Sequence, residues 1–312
     1  MLKFLKNWTL PLAMFAGAIG YFLLANVTIL EPAKPFVNWL IAVLTPFLIF
    51  AQLLLTFCKI EPKELLPKAW HVWLLSIQAV SSGIIALLLI FCPMEEAYRD
   101  IFEGAMVCLI CPTATAAAVI TGKLGGSAST LTTYTLLSNV LAAIAVPLVF
   151  PLVEPHADIT FVVAFLKILS KVFPLLLAPF FIALLFRYYI PSVHRLLSKY
   201  HGVAFYLWAV ALTIVTGQTV RSLVTAAADV SIEIMIALAG LATCCLQFYF
   251  GKRIGSAYHD RISAGQALGQ KNTVLAIWMA VTYLNPYIVS TSKSVCVKLY
   301  VVLAVLGLSS SF

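Results

Sequence analysis

The sequence predicts an all-α membrane protein built as ten transmembrane helices, and three observations carry that prediction. Of its 312 residues, 62% are hydrophobic and only 10% charged, with a mean hydropathy of +1.02. Soluble domains carry about 25% charged residues, so a water-soluble globule is excluded. Apolar windows long enough to cross a bilayer recur from one end of the chain to the other. Lysine and arginine gather on alternate connections between those windows, the asymmetry that marks cytoplasmic loops. No polar stretch is long enough for a separate domain, so residues 1–312 read as one polytopic unit.

In chain order the windows are 10–29, 36–58, 70–92, 101–122, 130–153, 159–186, 203–223, 231–250, 262–284 and 288–308. The first is too long for the apolar core of a signal peptide and no small-residue cleavage site follows it, which predicts a retained helix. The sixth is long enough to tilt or to kink at Pro174 and Pro179. The seventh turns polar over Thr213-Ile214-Val215-Thr216-Gly217-Gln218-Thr219, leaving its end open. Ten spans divide into two sets of five, residues 1–155 and 156–312. An odd number per set forces opposite orientations, the arrangement of inverted repeats.

With both termini cytoplasmic, the inner side holds twelve Lys and Arg residues and the outer loops only three: Lys34, Arg99 and Arg221. The expected location is the cytoplasmic membrane. Lys167, Lys171, Lys271, Lys293 and Lys298 fall within or at the ends of spans. The net charge of +8 belongs to those loops and does not signal nucleic-acid binding. The seven cysteines lie mostly in apolar runs, and Cys108-x-x-Cys111 lacks a second pair or a nearby histidine. The five histidines are scattered near loops, so neither a metal cluster nor a cofactor is expected. Without a nucleophile–base pair or paired carboxylates at depth, an intramembrane enzyme is not expected either.

The fourth window of each set is irregular. Span 4 carries Cys111-Pro112-Thr113-Ala114-Thr115 at its middle, where Pro112 removes a backbone donor and disfavours helix at Cys111. Span 9 carries Gly265-Gln266-Ala267-Leu268-Gly269-Gln270-Lys271-Asn272-Thr273. Lys271 follows Ile262 by nine residues, which at roughly 1.5 Å each puts its ammonium near the middle of a ~30 Å hydrocarbon layer. A charge there costs at least ~2.5–3.5 kcal/mol, so it faces protein or a watery cavity. Interrupted helices at corresponding positions of two halves point to a transport site.

Candidate substrate-binding residues are Thr113, Thr115, Asn139, Lys271, Asn272 and Thr273; candidate ion-coupling residues are Gln78, Thr135, Gln266, Gln270 and again Lys271. Lys271 is a fixed cation for an anionic substrate, a group that gains and loses a proton, or a structural cation on carbonyls freed by the break. Asn272, Thr273, Gln270 and Gln266 either line a cavity or repair exposed backbone. Thr113 and Thr115 offer hydroxyls at a half-helix N-terminus suited to a carboxylate or sulfonate, or bond back to the preceding turn. Gln78 is a lone amide in an apolar span, a site contact or an interhelical hydrogen bond. Thr135, Ser138 and Asn139 are further candidates. Lys167 and Lys171, at i, i+4, share one face and either snorkel outward or draw anions to an outer vestibule. Asp229, Glu233 and Glu103 read as complements to helix dipoles.

The run Cys111-Pro112-Thr113-Ala114-Thr115-Ala116-Ala117-Ala118-Val119 resembles the Pro-Gly-Gly-Thr-Ala-Ser-Asn-Val signature of the bile acid:sodium symporter family. Gly269-Gln270-Lys271-Asn272-Thr273 is similar to that family's Gly-Met-Gln-Asn-Thr/Ser run. The resemblance implies a panel domain of spans 1, 2, 6 and 7 and a core domain of spans 3–5 and 8–10, with spans 4 and 9 crossing at unwound centres. It also implies transport of bile acids or smaller organic anions, usually with sodium. Gln78, Thr135 and Asn272 are kept, whereas Ala117 and Ala118 replace the Ser-Asn pair of the first sodium site. Ala267 replaces the glutamate shared by both sites, and Lys271 a sodium-binding glutamine.

The expected activity is therefore alternating-access transport of an organic anion, bile-acid-like or a small carboxylate, not coupled to sodium through the usual two sites. A proton or sodium remains as the coupling ion, and uniport or exchange as the other modes. The alternatives are a non-transporting membrane sensor or scaffold and a distant arsenite- or auxin-type carrier. Expected partners are the organic anion and membrane lipid, with no nucleic acid.

Overall fold

A bilayer offers no water to unpaired backbone groups, so apolar runs of this length satisfy their amides internally as helices. The computed structural model describes residues 2–59, 61–155, 159–199, 203–225 and 230–284, and every regular element among them is helical. Helices α1 (Leu2–Asn26) and α2 (Lys34–Phe57) are joined by a 3-10 turn, and α3 (Ala69–Phe91) follows. An interrupted pair comes next, α4 (Glu96–Ile110) and α5 (Ala117–Lys123), then α6 (Ala128–Val153), whose N-terminus is capped by the Ser127 hydroxyl. The remainder comprises α7 (Phe161–Tyr189), the short α8 (Pro191–Lys199), α9 (Val203–Thr225) and α10 (Val230–Ala257). A second interrupted pair, α11 (Arg261–Gly269) and α12 (Thr273–Met279), runs on into a π turn, Ala280–Leu284.

Among the described residues, five helical stretches are long and apolar enough to cross a membrane: Thr28–Phe57, Ala69–Phe91, Ala128–Val153, Phe161–Tyr189 and Ile234–Ala257. That is the build of an integral membrane protein. Pro174 and Pro179 leave α7 a single continuous helix, and α9 stays helical through its polar second half. The tenth predicted span, with Lys293, Cys296 and Lys298, lies outside the described residues, as do His156, His201 and Asp229.

The helices pack in a repeated pattern. α1 lies against α9 as α7 lies against α2, and α3 against α4 as α10 against α11. α6, which also touches α3 and α11, runs along α7 and joins the two groups. The α1–α9 contact depends on glycine. A Cβ on Gly17 would sit 2.3 Å from the Thr213 carbonyl oxygen, and one on Gly217 would sit 3.1 Å from the Gly17 oxygen. Small residues at such crossings let backbones approach where no hydrophobic force drives association.

The main core draws buried side chains from α2, α4, α6, α7, α9 and α12, among them Leu53, Met106, Val146, Leu176, Val215 and Leu275. A second cluster gathers around Trp70, Leu74, Tyr134 and Leu268. Polar clasps sit at the ends. Glu103 is not a first-turn dipole partner, because it is the eighth residue of α4. It pairs instead with Arg99 at 3.0 Å, and Arg99 also reaches Glu154 at 3.2 Å. Lys68 pairs with Asp260 at 3.0 Å, tying the start of α3 to the start of α11.

Candidate functional site

The two interruptions meet backbone to backbone. Pro112 has no N–H with which to extend α4, and the residue before it, Cys111, is extended at φ −61°, ψ 138°. Its counterpart after α11 is the extended Gln270, φ −88°, ψ 103°. Thr113 and Lys271 form an antiparallel bridge: Ala114 N donates to Gln270 O at 2.9 Å, and Asn272 N donates to Pro112 O at 2.8 Å. Each break therefore satisfies groups that the other exposes, which is what unpaired backbone at membrane depth requires. Gly269 lets the end of α11 lie close on α10, since a Cβ there would sit 2.5 Å from the Phe248 ring.

Side chains satisfy several of the carbonyls that remain. In an unbroken α4, Leu109 O would accept from Thr113 N, but that N–H donates to Ser138 Oγ of α6 at 3.2 Å. The Lys271 ammonium donates to Leu109 O instead, at 3.3 Å. Gln78 Nε2 donates to Ile110 O at 2.9 Å and to Cys111 O at 3.2 Å, while its Oε1 accepts from the Tyr134 hydroxyl at 3.2 Å. Across the junction, Thr113 Oγ1 donates to Ala267 O, at the end of α11, at 2.7 Å, and Cys111 Sγ donates to Asn272 O at 3.2 Å.

Electrostatics follow from this layout. The C-terminal ends of α4 and α11, both carrying partial negative charge, converge on the break, and Lys271 stands at their meeting point. Asn272 serves the opposite polarity: its Oδ1 accepts from Leu275 N at 3.2 Å and caps the start of α12.

The other predicted residues occupy varied settings. Thr113 and Thr115 precede α5 by four and two residues, so neither hydroxyl caps that helix. Thr115 Oγ1 donates to Gln52 Oε1 of α2 at 3.3 Å. Thr135 bonds back to Leu131 O at 3.0 Å. Thr273 opens α12 and is partly buried, like Lys271. Asn139 is fully buried in α6, and neither atom of its amide has a partner among the described residues. Gln266 and Gln270 are buried with Oε1 likewise unpartnered. Ala117 and Ala267, at positions where the resemblance implies sodium ligands, are fully buried methyl groups.

Gln52 and Tyr134 were not among the predicted site residues. Gln52 offers the same signal as Gln78, an amide in an apolar span; its Nε2 has no partner among the described residues. Among the described residues no group of His, Cys, Asp or Glu is placed to hold a metal ion.

A cavity of ≈ 1150 Å³ opens elsewhere, between α1, α2, α7, α9 and the end of α12. Its described lining includes Lys34, Asn38, Lys171 and Arg221 but neither Thr113 nor Lys271. Fold and site together define an all-helical integral membrane protein in which two interrupted helices join around a lysine. No family model and no curated protein matches the chain.

Proposed function

We propose that the protein is a secondary transporter of organic anions working by alternating access, with Lys271 as the fixed cation at its centre. In this reading ten spans form two inverted five-helix repeats, with both termini on the cytoplasmic side of the cytoplasmic membrane. A panel of α1, α2, α7 and α9 moves against a core of α3–α6, α10–α12 and the final span. The Thr113–Lys271 bridge carries the proposal, because interrupted helices joined at depth are how many carriers build a site. The matched packing of α1 on α9 with α7 on α2, and of α3 on α4 with α10 on α11, supports the repeat.

The same geometry supports transport that does not use sodium in the two-site manner the resemblance implies. Sodium needs several oxygen ligands, and Ala117 and Ala267 supply only methyl groups. The Leu109 carbonyl, a potential cation ligand beside the break, already receives the Lys271 ammonium. A built-in cation thus offsets the two negative helix ends that a bound ion would otherwise neutralise.

Uptake into proteoliposomes tests the proposal, using a labelled bile acid and a labelled short carboxylate, with and without sodium and with an imposed pH gradient. Uptake of either anion without sodium, lost in Lys271→Ala, is the expected result. Absence of uptake of both rejects the carrier reading, and strict sodium dependence rejects the built-in cation.

A further inference from the structure

Lys167 and Lys171 are one turn apart on α7, yet only Lys171 lines the large cavity. It stands ten residues from the start of α7, about 15 Å along the axis. A lysine at that depth is expected to face water or an opposite charge. No described acid lies within ion-pair distance of it. In the same cavity, Arg221 Nη1 donates to Asn38 Oδ1 at 3.1 Å, which fixes the guanidinium near the C-terminal end of α9. Lys34 completes the cationic lining, already paired with Glu31 at 3.3 Å. The rest of the wall is largely apolar, with Leu24, Ile41, Leu175, Ile214 and Trp278. Asn38, Thr45 and Gln52 repeat every seven residues on one face of α2. This polar seam leads about 21 Å from the Arg221 contact, past the cavity wall at Thr45, to the Thr115 hydroxyl at the break.

We propose that this cavity is a second anion site, distinct from the junction at Lys271, in which Lys171 holds the anionic group of an amphipathic molecule. Arg221, positioned by Asn38, receives that group first, and the apolar wall takes the body. Short hydrophilic carboxylates leave the apolar wall uncovered and bind weakly. That the anion is then carried inward along the α2 seam rests on the transport reading; that it binds here does not. The head-group chemistry is shared by a free amphipathic acid and by an anionic lipid.

The experiment uses the full chain in phosphatidylcholine nanodiscs and the fluorescent probe 11-(dansylamino)undecanoate. The site predicts saturable binding, weakened at least tenfold in Lys171→Gln, restored by Lys171→Arg, and unchanged in Lys167→Gln. Acetate and succinate should not displace the probe at equal concentration. Replacing part of the phosphatidylcholine with phosphatidylglycerol separates the two sources: displacement of the probe by that lipid assigns the site to a lipid head group, and its retention to a free acid. Binding that is equal in wild type and Lys171→Gln, equally weakened in Lys167→Gln, or absent in the wild type overturns the proposal. Lys171-dependent binding alongside failed uptake leaves the site standing and removes the transport reading.

Discussion

The Lys271 ammonium donates to the Leu109 carbonyl at 3.3 Å, bridging the break between α11 and α12 to the last turn of α4. Two opposing magnitudes decide what its loss does. Removing a charge from membrane depth recovers at least ~2.5–3.5 kcal/mol. Losing a hydrogen bond to a charged group costs about 1.5–3 kcal/mol. Lys271→Met should therefore leave the melting temperature in detergent within a few degrees of wild type while abolishing anion uptake. A large drop in melting temperature would mark the lysine as structural only.

Gln78 holds the broken end of α4 through two donated bonds and receives a third from Tyr134. Gln78→Leu strands two carbonyls and one hydroxyl, at about 1–3 kcal/mol for each group left unpaired, read as reduced thermal stability. Tyr134→Phe should cost less, and a double-mutant cycle should show the two effects to be non-additive.

Asn272 starts the second half-helix. Asn272→Ala should destabilise the protein by about 0.5–2 kcal/mol, while Asn272→Ser or Asn272→Asp retains a capping oxygen. Hydrogen exchange at the amides of Leu275 and its neighbours reads the effect locally, with faster exchange expected in the alanine variant alone.

Gly17 lies against Thr213 and Gly217 with no room for a methyl group. Gly17→Val should overpack the α1–α9 contact and lower stability by about 1–3 kcal/mol. Gly20, where a Cβ meets nothing within 4 Å, is the control: Gly20→Ala should be tolerated.

Much of the junction was legible because its causes are local. Pro112 cannot extend a helix, and a lysine among glycines and amides at bilayer depth must be held by protein or water rather than lipid. The bonding partners were not legible. The Thr113 hydroxyl serves the end of α11 because the second break lies opposite, a fact of tertiary structure that no spacing in span 4 contains. Gln52 meets Thr115 for the same reason. Lys167 and Lys171 look alike as an i, i+4 pair; the arrangement of α1, α2 and α9 around α7 separates them. Pro174 and Pro179 show the limit of breaker residues, since α7 runs through both without interruption.

The central claim is that the two broken helices join at Thr113 and Lys271. The bonds flanking this pair make it a non-hydrogen-bonded antiparallel pair, with Cα atoms about 4.5 Å apart. That spacing lies within reach of a disulfide. In a background lacking the native cysteines, Thr113→Cys with Lys271→Cys should cross-link on mild oxidation with copper phenanthroline, read by mass spectrometry of the joined peptides. Control pairs displaced by a helical turn should not. Failure of the Thr113–Lys271 pair to cross-link in folded protein would contradict the junction and the site built on it.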